Sequence, residues 1–267
     1  MPYKLLVLDM DDTLLTDDHK ISDLNKEMLF KAKEKGVQII LASGRPTPAM
    51  MAHARELELD QEDNYMISFN GAVITNLKDN STLFQQMLTR EQIHDLYDYS
   101  RKKNTHIITY LNGHIVSETD SEFIEVEKEI TGLPHYKVTD FKGNVTTDAV
   151  KCILLEEPSY LKEVESDLQA IMPHLSVCMS KPFFLEVTQT GIDKGASLKF
   201  LADKLNISPS EIIAVGNAGN DVSMIEYAGL GVWVDNVTPE LRDKADIIVA
   251  SNNDHGVAEV IQRFILD

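Results

Sequence analysis

The 267-residue sequence predicts an α/β protein, a parallel-sheet core interrupted by an inserted α+β module. Three observations predict it. Over the first eighty residues, short apolar runs alternate with helical patterns. In the middle of the chain that rhythm gives way to hairpin chemistry. After Gly191 the first rhythm returns.

Tyr3–Leu8 is the first apolar run. Ser22, with Asn25 three residues on, opens a helical stretch over Asp23–Lys35, and Gly36 stops it as a C-terminal glycine does. Val37–Ala42 reads as a buried strand ending in Ser43-Gly44-Arg45-Pro46, with a helix over Thr47–Leu57 after it. Tyr65–Phe69 is a third strand, ending in Asn70-Gly71. Such strands, separated by helices, read as parallel βα units.

The middle differs. Thr89 to Gln92 form a capping box that opens a helix to about Lys103. His106–Leu111 and His114–Ser117 turn at Asn112-Gly113, a hairpin signal. Val150–Leu155, Ser176–Met179 and Phe184–Thr188 are strands, and Ser159–Met172 is a helix. Beyond Gly191 the pattern gives a helix over Lys194–Leu205, a capping box at Ser208–Glu211, and a strand over Ile212–Val215 that ends in Gly216-Asn217-Ala218-Gly219-Asn220-Asp221. Val222–Ala228 is helical, Gly231–Val234 a strand, and Thr238-Pro239-Glu240 opens a further helix. Ile247–Ala250 and His255–Phe264 are the last strand and helix. The expected division is a Rossmann-like core of residues 1–82 and 190–267 and an inserted domain of residues 83–189.

Composition bounds the partners. Apolar residues make up 43 % of the chain, enough for a full core. Lys and Arg number 25 against 43 Asp and Glu, a formal net charge of −18. A surface that negative repels nucleic acid and anionic membrane. No apolar run approaches the ~20 residues of a membrane span, and acids interrupt the N-terminal apolar stretch too early for a signal peptide. The chain is expected to be cytoplasmic. Cys152 and Cys178 are expected as buried reduced thiols. The eight histidines lack ligand spacing, which argues against zinc.

In an open parallel sheet, ligands bind beyond the carboxyl ends of the strands. Four of these ends carry Asp9/Asp11/Thr13, Ser43/Gly44/Arg45, Asn70/Gly71 and Asn217/Asn220/Asp221, and Lys194 starts a helix just before the last. Carboxylates with neutral oxygens suit Mg²⁺, which takes one or two carboxylates and fills the rest with water and phosphate. Hydroxyls, a lysine and free amides suit a phosphate. One carboxylate can attack phosphorus, and a second two residues on, on the same side of an extended chain, can shuttle the proton. Lys194 in a first helical turn is unfavourable against the helix dipole unless an anion lies near it. Arg45 is expected to contact acidic neighbours, Asp12 to be a turn residue, and Trp233, Met50, Met51, Phe183 and Phe184 to be packing.

DMDDT at 9–13 resembles the DxDxT signature of the haloacid dehalogenase superfamily. LASGRP at 41–46 is similar to its second motif, IDKG at 192–195 to its third, and GNAGND at 216–221 to its fourth. The insert falls at the cap position of the type IIB branch, the Cof-type phosphatases. SFNGA at 68–72, FFLEVTQTGIDKG at 183–195 and SNNDHGVAEVIQRFI at 251–265 extend the resemblance to nearly the whole chain.

The resemblance implies Asp9 as nucleophile and metal ligand, and Asp11 as general acid/base with its carbonyl on the metal. It implies Thr13, Ser43, Gly44, Asn70, Gly71 and Asn220 around the phosphoryl group, and Lys194 as the neutralising cation. Position 217 supplies the third metal ligand, with Asp221 completing the metal site. The implied function is Mg²⁺-dependent hydrolysis of a small phosphorylated metabolite, such as a sugar phosphate, through an aspartyl phosphate. A phosphomutase and a phosphometabolite sensor with lost catalysis are the alternatives. The chain departs from the pattern at Asn217, where the family has an acid, at Val234-Asp235-Asn236, where the branch commonly has Met-Gly-Asn, and at His255, commonly acidic.

Overall fold

The computed structural model describes residues 3–61 and 63–267; residues 1, 2 and 62 of the expected core range lie outside the described residues. In chain order the elements begin with β1 (Leu5–Leu8), α1 (Asp23–Glu34), β2 (Gln38–Ala42), α2 (Thr47–Glu56), β3 (Tyr65–Ser68), β4 (Val73–Asn76) and β5 (Thr82–Gln85). They continue with α3 (Arg90–Lys103), β6 (His106–Leu111), β7 (His114–Ser117), α4 (Glu122–Thr131), β8 (His135–Lys137), α5 (Phe141–Asn144), β9 (Cys152–Leu155), α6 (Pro158–Ile171), β10 (Leu175–Lys181) and β11 (Phe184–Gln189). They close with α7 (Lys194–Leu205), β12 (Ile212–Gly216), α8 (Val222–Tyr227), β13 (Leu230–Val234), β14 (Ile247–Val249) and α9 (Gly256–Ile261). The chain divides into two compact units. One contains the residues up to Phe84 together with Asp193–Asp267, the other Gln85–Ile192.

The first unit is built on an eight-stranded sheet, ordered β14-β13-β12-β1-β2-β3-β4-β5. From β14 to β3 all neighbours are parallel, and β4 returns antiparallel to β3. Alternate side chains of each strand enter opposite layers. Leu6, Leu8, Ile39, Leu41, Ile213 and Val215 pack with residues of α1, α2 and α9. Leu5, Val7, Ile40, Ala42, Ile212 and Ala214 pack with α7 and α8 on the other face. Two covered faces explain why β1 and β12 read as continuous apolar runs rather than alternating ones.

The second unit has a six-stranded sheet, β10-β11-β9-β6-β7-β8, antiparallel except for the β7–β8 pair. Ile93 and Leu96 of α3 and Leu161, Val164 and Leu168 of α6 cover Ile107, Cys152, Leu154, Leu185 and Val187. The Thr89 box forms as expected: its hydroxyl accepts from Gln92 N and the Gln92 side chain accepts from Thr89 N.

Several expectations are corrected. Cys178 is exposed, because the outward positions of β10 lie at a sheet edge; Cys152 is buried and its thiol is pushed up to about 12 by that burial. Strands β4, β5 and β8 and helices α4 and α5 are additional to the elements expected from the sequence. The Ser208 box closes only one tight turn, Pro209–Glu211, and the segment opened by Thr238 is a 3₁₀ run over Pro239–Lys244. Trp233 is fully buried, its indole N–H donating to Leu241 O at 2.8 Å, as a packing residue should.

Candidate active site

The parallel order β12-β1-β2-β3 puts four consecutive strand ends side by side, and the motif residues follow those ends. β1 leads into Asp9, whose N–H donates to Val215 O of β12 at 2.9 Å. The chain then makes a wide turn over Met10–Leu14, closed by Leu14 N to Asp9 O at 3.3 Å and Leu15 N to Met10 O at 2.9 Å. Asp12 sits in that turn at φ +57, in the left-handed region that a short acid tolerates.

Asp9 is buried and fully partnered. Thr13 Oγ1 donates to its Oδ2 at 2.9 Å, and Lys194 Nζ lies 2.6 Å from its Oδ1. The same ammonium lies 2.6 Å from Asp221 Oδ1. Asp221 is itself buried, and its Oδ2 accepts the backbone N–H groups of Asn217 and Ala218 at 3.0 and 3.1 Å. The lysine thus stands at the start of α7 with two carboxylates against it, which resolves its unfavourable place in a first helical turn. Its helix is capped by Asp193, which accepts from Ala196 N.

Burial pushes the Asp9 carboxyl up to about 7, with repulsion from Asp221 adding to it, against the pull of Lys194 and Thr13. Burial alone would lower Lys194, but Asp221 and Asp9 hold it above the usual lysine range.

Asp11, two residues from Asp9, meets a different environment. Its carboxylate is half exposed and gripped bidentately by Arg45, Nε to Oδ2 at 2.9 Å and Nη2 to Oδ1 at 2.6 Å. Arg45 follows β2, where buried Ser43 accepts Arg45 N on its hydroxyl at 3.1 Å and Asn70 N on its carbonyl at 2.9 Å. The contact of Arg45 with an acidic neighbour is therefore as expected, but the neighbour belongs to the site. Its signal was the guanidinium in LASGRP, adjacent to a strand end that already carried site residues.

Beyond β3 the chain turns through Phe69 and Asn70 at φ +52 and +55 and Gly71 at φ +105. Asn70 Oδ1 accepts from Asn220 Nδ2 at 3.0 Å. Gly44 lies against that amide: a Cβ built there would be 3.1 Å from the Asn70 side chain. Gly71 is required by contact as well as by φ, because a Cβ there would meet Asp193 O at 2.4 Å. Bonds therefore link Asp9, Thr13, Lys194, Asp221 and the Asn217 backbone in one set, and Asp11, Arg45, Ser43, Asn70 and Asn220 in another.

A family model for haloacid dehalogenase-like hydrolases matches residues 6–261. The chain belongs to that family. This hydrolase is 33 % identical over 270 residues to YxeH of Bacillus subtilis (strain 168), a candidate phosphatase, with 99 % of each chain covered. It is 29 % identical to the 5-amino-6-(5-phospho-D-ribitylamino)uracil phosphatase YcsE of the same organism, over 98 % of this chain and 96 % of that one. Among solved structures, a haloacid dehalogenase-like hydrolase from Bacteroides thetaiotaomicron superposes with a TM-score of 0.93 at 34 % identity, covering 98 % of this hydrolase and 99 % of that chain.

The donor set fits a hard cation. Asp221 Oδ2 already takes two backbone N–H groups and its Oδ1 takes Lys194, whereas each Asp9 oxygen takes a single donor and keeps a lone pair for a cation. What remains is the Asp9 carboxylate, the Asp11 carbonyl and the Asn217 side-chain oxygen, one carboxylate and two neutral oxygens, a composition that Mg²⁺ accepts with water and phosphate completing its shell.

Proposed function

We propose that this hydrolase cleaves small phosphate monoesters, with Mg²⁺, through an aspartyl phosphate on Asp9. The observation that carries the reading is the contrast between two carboxylates two residues apart. Asp9 is buried, with an ammonium and a hydroxyl on its oxygens, whereas Asp11 is half exposed and held by a guanidinium. Carboxylates placed in such different environments take different roles.

Asp9 is the nucleophile, its charge offset by Lys194 and its orientation set by Thr13. Asp11, protonated on an oxygen released from Arg45, gives that proton to the departing alcohol and then, as the carboxylate, takes one from the water that cleaves the acyl phosphate. Ser43, Gly44, Asn70 and Gly71 border the phosphoryl group, with Asn220 bracing Asn70. Asp9, the Asp11 carbonyl and Asn217 would hold Mg²⁺, which offsets charge on the phosphoryl oxygens. Asp221 anchors Lys194 and the Asn217 backbone. The similarity to YcsE, which acts on a phosphoribityl compound, supports a phosphate carried on a sugar-like or polyol chain as the substrate class. The inserted unit, Gln85–Ile192, is proposed as the domain that selects the leaving group. No helix among the described residues is long and apolar enough to cross a membrane.

The test is phosphate release from a panel of phosphorylated sugars, polyols and an aryl phosphate, with and without Mg²⁺, for wild type and Asp9→Asn. The reading expects Mg²⁺-dependent turnover that Asp9→Asn lowers by several orders of magnitude, as loss of an essential nucleophile does. Near wild-type turnover in folded Asp9→Asn removes Asp9 from the role. Turnover that appears only with a sugar bisphosphate activator indicates a mutase.

A further inference from the structure

The turn that carries Asp11 has little to hold it in place from within. Its own backbone bonds are the two wide closures at Leu14 and Leu15, and Asp11 and Asp12 both lie outside helical φ/ψ. Two asparagines from distant parts of the chain supply further constraint. Asn236, after β13, donates from Nδ2 to Asp12 O at 2.7 Å. Its Oδ1 accepts Asn252 N at 3.1 Å. Asn252 is buried at 2 % exposure, and its Nδ2 donates both to Leu15 O and to Asp17 Oδ1, each at 3.1 Å. The neighbouring Asn253 accepts Asp17 N on its Oδ1 at 3.1 Å. A continuous chain of bonds therefore runs from the Asp12 carbonyl through Asn236 and Asn252 to Leu15 and Asp17.

The same C-terminal loop grips the far side of the segment. Leu15 and Ile21 are bridged, and beyond Ile21 the Ser22 hydroxyl lies 2.9 Å from His255 Nδ1. Asn25 Oδ1 accepts Ala258 N at 3.0 Å. The SNNDHG stretch and the Asn of VDN, which the chemistry above leaves without a task, thus converge on one object, residues 12–25.

We propose that Asn236 and Asn252 are positioning residues for proton transfer: bound to the carbonyls of Asp12 and Leu15, they fix the turn from which Asp11 delivers its proton. The proposal rests on the function proposed above. Neither amide lies in the bonded sets around Asp9 and Asp11, so neither is assigned a contact with the reacting atoms. Asn is required at 252 because one side-chain NH₂ must donate twice while the main-chain N–H of the same residue donates to Asn236. An aspartate there would lose both donors and face the Asp17 carboxylate.

Two esters of similar size separate positioning from mere stability. p-Nitrophenyl phosphate has a good leaving group and needs little help from an acid; phenyl phosphate, whose phenol is the weaker acid, needs more. kcat/KM reports the step that expels the alcohol. A misplacement of ~1 Å costs on the order of 10²-fold in rate. Asn236→Ala is therefore expected to lower kcat/KM for phenyl phosphate about ten- to hundred-fold, and for p-nitrophenyl phosphate no more than several-fold. Asn252→Ala is expected to shift the same ratio in the same direction, and the double variant to lose less than the product of the two, since both act through one chain of bonds. Asn236 is exposed, so Asn236→Ala decides the matter even where Asn252→Ala does not fold. Equal losses on both esters, or a lowered melting temperature with an unchanged ratio, overturn the proposal. A wild type that hydrolyses neither ester with Mg²⁺ overturns the proposed function itself, and this proposal with it.

Discussion

Replacing Lys194 by methionine keeps most of the packing volume and removes the charge that two buried carboxylates share. The ammonium lies 2.6 Å from an oxygen of each, and the lysine side chain has no exposed surface. A unit charge pair at ~4 Å and an effective dielectric of ~20 gives about 4 kcal/mol, so two pairs give about 8 kcal/mol gross. Desolvating the ammonium on folding takes back several kcal/mol of that. A net loss of ~3–5 kcal/mol follows for Lys194→Met, the range found when one partner of a buried pair is removed.

The loss should depend on pH with a definite sign. Asp9 is already pushed up to about 7 with the lysine present, and without it the folded-state value rises further. The folded protein then binds a proton that the unfolded chain, at an ordinary 3.8, has released. Stability of the variant falls as pH rises from the ordinary value through the folded one. The deficit against wild type should therefore be larger near pH ~8 than near pH ~5. Mg²⁺ should return part of it at the higher pH, because a cation beside Asp9 offsets the same charge. The assay is urea unfolding of both full-length proteins, followed by far-UV circular dichroism at the two pH values with and without Mg²⁺. A deficit below ~1 kcal/mol, as for a surface pair, or one independent of pH, refutes the reasoning that the ammonium neutralises two buried carboxylates.

Asn217→Asp adds one negative charge to the proposed metal ligands, against repulsion from Asp9 and Asp221; a net gain of ~1–2 kcal/mol, roughly ten- to thirty-fold in Mg²⁺ affinity, is expected. A Mg²⁺ titration of phosphatase rate checks it, and coincident curves for the two proteins would remove position 217 from the metal. Gly71→Ala should cost distinctly more than Gly36→Ala: both have positive φ, but a Cβ at Gly71 meets Asp193 O at 2.4 Å whereas nothing lies within 4 Å of one at Gly36. Comparing the two by urea midpoint isolates the contact from the ~1–2 kcal/mol of left-handed backbone strain. In the inserted unit, burial raises the Glu127 carboxyl above its ordinary 4.5, although Lys151 and the Tyr110 hydroxyl favour the ionised form. The folded state holds that proton more tightly, so stability falls as pH rises above the ordinary value. Glu127→Gln should flatten this slope in urea midpoints measured across acid pH, and an unchanged slope would assign it to another group.

The sequence by itself determined which chemistry the strand ends carry. Continuous apolar runs at β1, β2 and β12 demanded a sheet covered on both faces, and a parallel sheet gathers its strand ends on one edge. Asp9, Ser43, Asn70 and Asn217 could therefore be placed together without coordinates, and the haloacid dehalogenase motifs were legible for the same reason. Local capping was legible too, since the Ser22 and Thr89 hydroxyls bond residues three positions on. Among the elements that escaped, the strands depend on distant partners for their existence. β4 exists because it can pair with β3, whereas α4 carries its signals locally in SEFIEVEKEITG, with Ser121 accepting from Phe123 N and Gly132 ending the helix at φ +68.

Only the tertiary structure decided the pairings across the chain. Lys194 is 185 residues from Asp9, and only in the fold does its ammonium also reach Asp221. Arg45 could be expected to meet an acid, but which acid followed from β2 lying beside β1. The bracket of Asn236 and Asn252 joins residues more than two hundred positions apart. Hydrogen bonds of this kind leave no periodicity in a sequence, because each needs one donor at one place, and that place is set by the packing of everything between.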